Sequence, residues 1–406
     1  MERTPVVDAW LQAAASDFGT PCYVYFLSDV AKRREHLVNS FGGRFQLSFA
    51  VKCNPNLHLL SRMRTLVDFL DVSSIGEFRL ALNAGWSSEQ LSFTGPGKRE
   101  PELAEAINAG LGELVVESVG EAVTASRIAT ALGRRQRILI RLSPNSVPKG
   151  FGDQMAGRPS PFGIDVEDIG EAIPAIMALP GLDIHGLHIY AGTQCLKAAA
   201  VCENYRNFMS IFEAVCGTYA LAPKKLVFGS GLGIPYHMGD AAIDLDEVAA
   251  DTNEQLDVLS MKPSFKNCRY VLELGRYLVG EAGYFVTQVV SIKESRGTRI
   301  AICDGGMNHH LPASGHFGMV MHRNYPMHKV GDHQGPIEAI NLVGPLCTSI
   351  DRLANGIALP RLEVGDLVAI HSSGAYGPSA SPTAFISHPR PREILIAESG
   401  MSDVTG

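Results

Sequence analysis

The stretch Phe49-Ala-Val-Lys52-Cys-Asn-Pro-Asn56 decides how the rest of the chain is read. Residues 45–51 form an apolar, partly β-branched run that reads as a buried strand, with Lys52 where that strand ends. The Asn-Pro pair stops the strand and turns the chain into a helix over 57–66. A lysine at a strand end is ordinarily solvated. Lys52 therefore gains weight only from what stands at the ends of the other strands.

At 406 residues the chain is longer than one usual domain, and 46% hydrophobic content is ample for a large core. The formal charge of -7 leaves no basic footprint for nucleic acid or for an anionic membrane surface. No apolar run reaches the roughly 18 residues of a spanning helix, and the first residues lack a basic segment followed by an apolar core. The expectation is a cytoplasmic protein with no membrane partner. The 8 cysteines are scattered without Cys-x-x-Cys pairs or zinc-like spacing, so neither a disulfide framework nor a metal site is expected, and most should be small buried apolar residues.

Outward from the quoted stretch, strands and helices alternate. A short helix and linker precede a lone aromatic strand over 22–26. Strands are then expected at 45–51, 67–72, 91–94, 113–117, 137–142, 184–190, 225–228 and 269–273. Helices are expected at 30–40, 75–84, 102–109, 122–132, 169–179 and 198–218, and a glycine-rich loop over 143–163. Eight strands, each but the last followed by a helix or a connection long enough to cross over, imply a parallel (β/α) barrel, an α/β fold. After about residue 280 strands such as 284–292, 299–302 and 367–370 run between turn residues without comparable helices, which implies a second, mainly β domain. The lone strand at 22–26 is expected to join that domain and make it discontinuous. The expected division is a barrel over 28–278, with 1–27 and 279–406 forming the β-rich part.

In such barrels the functional site lies at the carboxyl ends of the strands. Polar residues collect there: Lys52, Asp71 with Ser73 and Ser74, Arg141, His188 and Tyr190, then Gly229-Ser-Gly231-Leu-Gly233, and Glu273-Leu-Gly275-Arg276. Each has an ordinary structural explanation. The glycines could form only a tight turn, Glu273 and Arg276 could pair with each other, and His188 and Tyr190 could be core packing. Together they say more. Glycines let backbone N–H groups approach a phosphate, and Arg276 adds charge-assisted bonds. A phosphate site beside a barrel lysine and an acid suggests pyridoxal phosphate, with Lys52 holding the aldehyde as an imine. Glu273 would keep the pyridine nitrogen protonated, which makes the ring an electron sink for a carbanion at Cα, as decarboxylation requires.

These motifs, in order, resemble the barrel-fold pyridoxal phosphate decarboxylases, the family of ornithine, arginine and diaminopimelate decarboxylases. The matching stretches are Phe49-Ala-Val-Lys52-Cys-Asn54, Asp71-Val-Ser-Ser74, Gly186-Leu-His-Ile-Tyr-Ala-Gly-Thr-Gln194 and the Gly229 loop. Glu273-Leu-Gly-Arg276, Cys303-Asp-Gly-Gly-Met-Asn308, Val343-Gly-Pro-Leu-Cys347 and Gly374-Ala-Tyr376-Gly follow. The resemblance implies Lys52 as the Schiff-base lysine and Glu273 as the partner of the pyridine nitrogen. It implies Asp71, Arg141, His188, Tyr190 and Gly275 around the cofactor. The phosphate set would be Gly229, Ser230, Gly231, Arg276 and Tyr376, with Thr193 where the family usually has serine. It also implies that Cys347 approaches the cofactor from a partner subunit and manages proton delivery, hence a homodimer whose β-rich domain completes the site. Composition alone would make Cys347 a packing cysteine.

Two departures bear on the substrate. Tyr190 stands where the family has a stacking histidine; it can still stack but carries no cationic form. Thr348 stands after the cysteine where an acid usually meets a distal ammonium group, so a diamino acid would lack its charge partner. His309-His310-Leu311 replaces a stretch that often supplies an arginine for a substrate carboxylate. A solvated loop is the plain reading of that pair, and His309 is a candidate substrate contact. These departures, with the loop over 149–164, resemble a smaller branch that decarboxylates an amino acid tethered to a carrier protein. The substrate is thus expected to be an amino acid, free or carrier-bound. A diamino-acid decarboxylase and a non-catalytic partner-binding relative are the alternatives. A racemase of related fold is disfavoured by Glu273, since racemisation is served by an unprotonated ring.

Overall fold

The computed structural model describes residues 4–317, 323–331 and 335–406, and the chain divides into two units. Arg34–Gly233 with Ala242–Gly275 form one; the segments up to Arg33, Ile234–Ala241 and Arg276–Gly406 form the other.

The larger unit is a closed barrel of eight parallel strands. They are β1 (Phe45–Ala50), β2 (Phe69–Val72), β3 (Leu91–Phe93), β4 (Glu113–Val116), β5 (Gln136–Ser143), β6 (Leu182–Ile189), β7 (Lys225–Gly229) and β8 (Arg269–Leu274). Each pairs with the next, β4 closes onto β5, and β8 returns to β1 with Glu273 beside Ser48. Strands buried on both faces read as unbroken apolar runs, which is why they are legible in the sequence. Val115, Leu139, Val227 and Val271 pack with Phe69 inside the barrel. Side chains at the helix starts lock the connections. Asn56 Oδ1 accepts from the amides of His58 and Leu59 at 3.1 and 3.2 Å, and Ser74 and Ser118 Oγ accept from Glu77 and Glu121 at 3.1 and 3.2 Å.

One connection holds more than the sequence reading assigns it. Between β7 and β8 a helix over Leu245–Ser260 buries Leu245, Val248, Ala249, Thr252, Leu256 and Leu259, and Asp244 caps it by accepting from the Glu247 amide at 3.0 Å. Its surface is rich in acids and amides, which dilutes the apolar period. The glycine-rich loop after β5 is also ordered into short pairs: Asp153–Gln154 lies antiparallel to Gly192–Thr193, and Ile164–Asp165 runs beside the end of β5.

The second unit is mainly β, with a nine-stranded sheet among the described residues. Cys22–Phe26 lies in it between Gly283–Ser295, antiparallel, and Arg392–Ala397, parallel. The helix Pro5–Phe18 buries Leu11 and Ala14 in the same core as Val24, Tyr284 and Ile394. No helix among the described residues is long and apolar enough to cross a membrane.

A strained turn in this unit yields a stability prediction. Ile386, 45% exposed, sits at φ 58°, ψ 14°, a left-handed conformation that a β-branched side chain resists by about 1–2 kcal/mol. Ile386→Gly removes that cost at a side chain with little packing to lose, offset in part by added freedom of the unfolded chain. The variant is expected to raise the thermal midpoint by a degree or more; a lowered midpoint would show that the isoleucine side chain contributes packing that outweighs the strain.

Candidate active site

The barrel brings most of the expected site residues to the carboxyl ends of its strands. β1 runs into a single tight turn, Val51–Cys53, closed by the Asn54 amide donating to the Val51 carbonyl at 3.0 Å. Asn54 Oδ1 then accepts from the Asn56 amide at 3.2 Å. The Asn-Pro-Asn run thus fixes the chain on the far side of Lys52. From this turn Lys52 Nζ lies 5.6 Å from the centre of the Tyr190 ring, a cation–π distance.

Glu273 and Asp71 form an unequal acidic pair. Both are buried, at 3% and 1% exposure. Burial pushes the Glu273 carboxyl up, but the bond from His188 at 3.0 Å, with the positive charges of His188, Lys52 and Arg141, brings it below the usual carboxylate range. Asp71 goes the other way: burial first, then the Glu273 charge, raise it well above its ordinary value despite Lys52 and the Thr94 hydroxyl bond. Ser92 Oγ also donates to Asp71, at 3.2 Å. One site therefore holds two acids whose surroundings push their pKa values in opposite directions.

Arg141 is tied to a residue the sequence reading passed over. Its Nη1 reaches both Glu117 oxygens at 3.0 Å, and its guanidinium lies 4.9 Å from the Phe162 ring. Glu117 also accepts from the amides of Gly95 at 2.7 Å and Gly163 at 3.0 Å. Its position at the end of β4 was the available signal.

The Gly229 loop has constraints of its own. A Cβ at Gly229 would sit 2.3 Å from Tyr190 Cδ2, and one at Gly231, where φ is +65°, would sit 2.5 Å from Phe151 Cε1. The Ser230 amide donates to the Glu273 carbonyl at 3.0 Å, and the Tyr205 hydroxyl donates to the Ser230 carbonyl at 2.8 Å. Glycine is thus required by Tyr190 and Phe151 whether or not a phosphate approaches. Thr193 is held by the short pair with Asp153, its carbonyl accepting from the Gly152 amide at 2.9 Å. At Gly275 a Cβ would meet Cys53 Cβ and Sγ at 3.3 Å.

Within the second unit Arg276 opens a short helix, donates to the Tyr236 hydroxyl at 3.0 Å, and lies 5.0 Å from the Tyr376 ring. Six of the eight cysteines are buried, Cys268 is half-buried and Cys347 is exposed, so packing does not account for Cys347. The buried Asp351 organises its loop: Oδ2 accepts from the Leu346 amide at 2.8 Å and Oδ1 from the Met307 amide at 2.7 Å. Gly306 and Gly344 make room, since a Cβ at either would fall 2.4 Å from an Asp351 oxygen. The sequence signal for Asp351 was its spacing after Cys347 and those two glycines. Thr348 is half-buried, its amide donating to the Leu346 carbonyl at 2.8 Å.

His309 and His310 correct the reading of a solvated loop. His309 is 1% exposed and His310 fully buried. His309 Nε2 bonds the Pro389 carbonyl at 2.9 Å and His310 Nε2 the Ser373 hydroxyl at 2.8 Å. Burial lowers the pKa of both, that of His310 to about 3. Both nitrogens of His310 are paired, Nδ1 accepting from the Ala313 amide at 3.2 Å, whereas His309 is held through Nε2 and its Nδ1 is buried without a protein partner.

Comparison with known proteins agrees with this geometry. A family model described as the pyridoxal binding domain of pyridoxal-dependent decarboxylases matches residues 27–280. The chain is 32% identical over 394 residues to an L-glutamyl-[BtrI acyl-carrier protein] decarboxylase of Niallia circulans, covering 95% of this chain and 91% of that one. It is 30% identical over 397 residues to the diaminopimelate decarboxylase of Aquifex aeolicus, covering 95% and 89%. The crystal structure of diaminopimelate decarboxylase from Helicobacter pylori complexed with L-lysine superposes with a TM-score of 0.85 at 27% identity, covering 97% of this chain and 95% of that one.

Proposed function

The chain belongs to the pyridoxal-dependent decarboxylases and is a pyridoxal phosphate-dependent amino-acid carboxy-lyase; from that premise we propose that it acts on an amino acid without a distal ammonium group, tethered to a carrier protein. The residues present fit the cofactor. Glu273 is a buried, ionised acid, suited to a protonated ring nitrogen, and Lys52 is an amine held at the barrel mouth. Lys52 would hold the cofactor covalently. The amides of the Gly229–Gly231 loop and Thr193 would hold its phosphate. When bound, the cofactor supplies a sink for the electron pair left at Cα as carbon dioxide departs.

The chain's own residues do the rest. Glu273, whose charged form the His188 bond favours, would keep the cofactor's ring nitrogen protonated. Tyr190 offers an aromatic face. Cys347, exposed in a single chain, would return a proton to Cα from a second subunit, so the working form is a homodimer.

The observation that carries the substrate reading is Thr348, a neutral, half-buried side chain next to Cys347, where the family resemblance leads one to expect an acid for a diamino-acid substrate. The similarity to a decarboxylase named for a carrier-protein substrate supports it. The test is carbon dioxide release from a panel of D- and L-amino acids and aminoacylated carrier proteins. Carrier-bound substrate should be turned over, and lysine, ornithine and diaminopimelate only poorly. Thr348→Asp should raise kcat/KM for those diamino acids by about tenfold, the worth of one charge-assisted contact. Good turnover of the free diamino acids by the unmodified enzyme would overturn the substrate reading.

A further inference from the structure

Beneath the acidic pair the barrel interior contains a second polar layer that the proposed chemistry does not use. Glu113, at the start of β4, accepts from Lys225 Nζ at 2.6 Å and bonds His185 Nδ1 at 3.0 Å; Lys225 Nζ also lies 3.8 Å from the centre of the Phe69 ring. Lys225 and Glu113 are 2% and 5% exposed. Between this layer and Glu273 lies a small internal cavity. Its lining includes Ser48, Ser92, His188, Lys225 and Glu113, with Val227 and Val271. About 10 Å³ of it is open to the centre of a water molecule, which is the room one water needs.

His188 connects the cavity to the site above. It is 1% exposed, and its Nε2 bonds Glu273 Oε2 at 3.0 Å. Its other nitrogen, Nδ1, is buried with no protein partner. A buried ring nitrogen left unpaired is costly, and the ring would then be held by the Glu273 bond alone. A water in the cavity meets both needs, since Ser48, Lys225 and His188 offer the two to four polar partners that keep an internal water bound.

We infer that the barrel interior binds one structural water joining His188 Nδ1 to the Ser48 hydroxyl and Lys225 Nζ, and that Ser48 is a positioning residue which, through this water, keeps His188 Nε2 on Glu273. The catalytic consequence rests on the proposed role of Glu273; the water itself does not.

The first test uses the protein without cofactor. The imidazole signals of His188, assigned by their loss in His188→Gln, should show an Nε2–H in slow exchange and a nuclear Overhauser effect to a bound water. No such effect, or Nδ1 bonded to a protein group, overturns the inference. The second test compares Ser48→Val with Ser48→Thr, which share a shape and differ in one hydroxyl. The valine variant should lose the water signal, shift the His188 resonances, and lower kcat about tenfold with KM little changed. The threonine variant, whose hydroxyl can bond Nδ1 with or without the water, should keep the Nε2–H and stay within about twofold of the parent rate. Equal losses in both variants would assign the effect to crowding and overturn the role of Ser48. If the water is found but no amino acid is decarboxylated, the proposed activity fails and the binding site stands.

Discussion

Glu273→Gln is expected to retain the cofactor and lose carbon dioxide release by about 10²- to 10³-fold in kcat, the size of effect seen when one preorganised electrostatic partner is removed from a closed site. Glutamine keeps the shape and an oxygen that can accept from His188 Nε2, so the 3.0 Å contact and the packing should survive. What is lost is the negative charge. Glu273 lies below the ordinary carboxylate range because His188, Lys52 and Arg141 outweigh its burial, which favours its charged form. With a neutral amide there, the protein would no longer supply the charge that keeps the cofactor's ring nitrogen protonated, and the electron sink would be weaker. The Asp71 carboxyl, raised partly by the charge of Glu273, should fall toward its usual range in the variant, and Asp71 would then carry more of the site's negative charge. Kinetics across a pH series, with cofactor content measured by absorbance, separate these outcomes. A variant that keeps full kcat removes Glu273 from the chemistry. One that loses decarboxylation but gains exchange of the α-hydrogen in deuterated water shows that the charge selects which bond breaks.

The same charge explains why so much of this site could be seen before the fold was known. Buried parallel strands are apolar throughout, so a charged or polar residue at the end of such a run stands out; Lys52, Asp71 and Glu273 were visible for that reason. The barrel followed from counting strands, and its closure is the β4 to β5 and β8 to β1 pairing. Three features were less legible. The helix Leu245–Ser260 carries its apolar stripe among acids and amides, which dilutes the period that would reveal it. Glu117 holds Arg141 by both oxygens, but a glutamate closing a strand does not announce its partner 24 residues on. His309 and His310 look solvated in sequence because two adjacent imidazoles are polar. Their burial depends on Pro389 and Ser373, more than sixty residues away, and such pairings are set by tertiary structure alone. Gly229 was legible for an incomplete reason: the sequence suggested close approach of a phosphate, and the coordinates add that any side chain there would strike Tyr190.

Lys52 carries the other large expected effect. Lys52→Ala should abolish turnover, a loss on the order of 10⁴-fold or more, comparable with removing a residue that acts covalently. Reduction with borohydride, which should fix the cofactor to the parent protein, should fix none to the variant. Loss of the amine also has an electrostatic side. Lys52 is among the charges that hold down Glu273, Asp71 and Glu77, so its removal leaves two buried acids and a half-buried one with less compensation, and any loss of activity could be assigned to that alone. Lys52→Arg separates the two. Arginine keeps a positive charge near the Tyr190 ring, where Lys52 Nζ now lies 5.6 Å from the centroid, but its guanidinium stays protonated and cannot attack an aldehyde. If the role is covalent, the arginine variant is as inactive as the alanine one while its thermal midpoint stays closer to that of the parent. If the role is electrostatic, the arginine variant recovers most of the activity. A free primary amine such as methylamine offers a further distinction: it should restore measurable turnover to Lys52→Ala, where there is room for it, and none to Lys52→Arg. Full activity in either variant without added amine would remove Lys52 from the reaction.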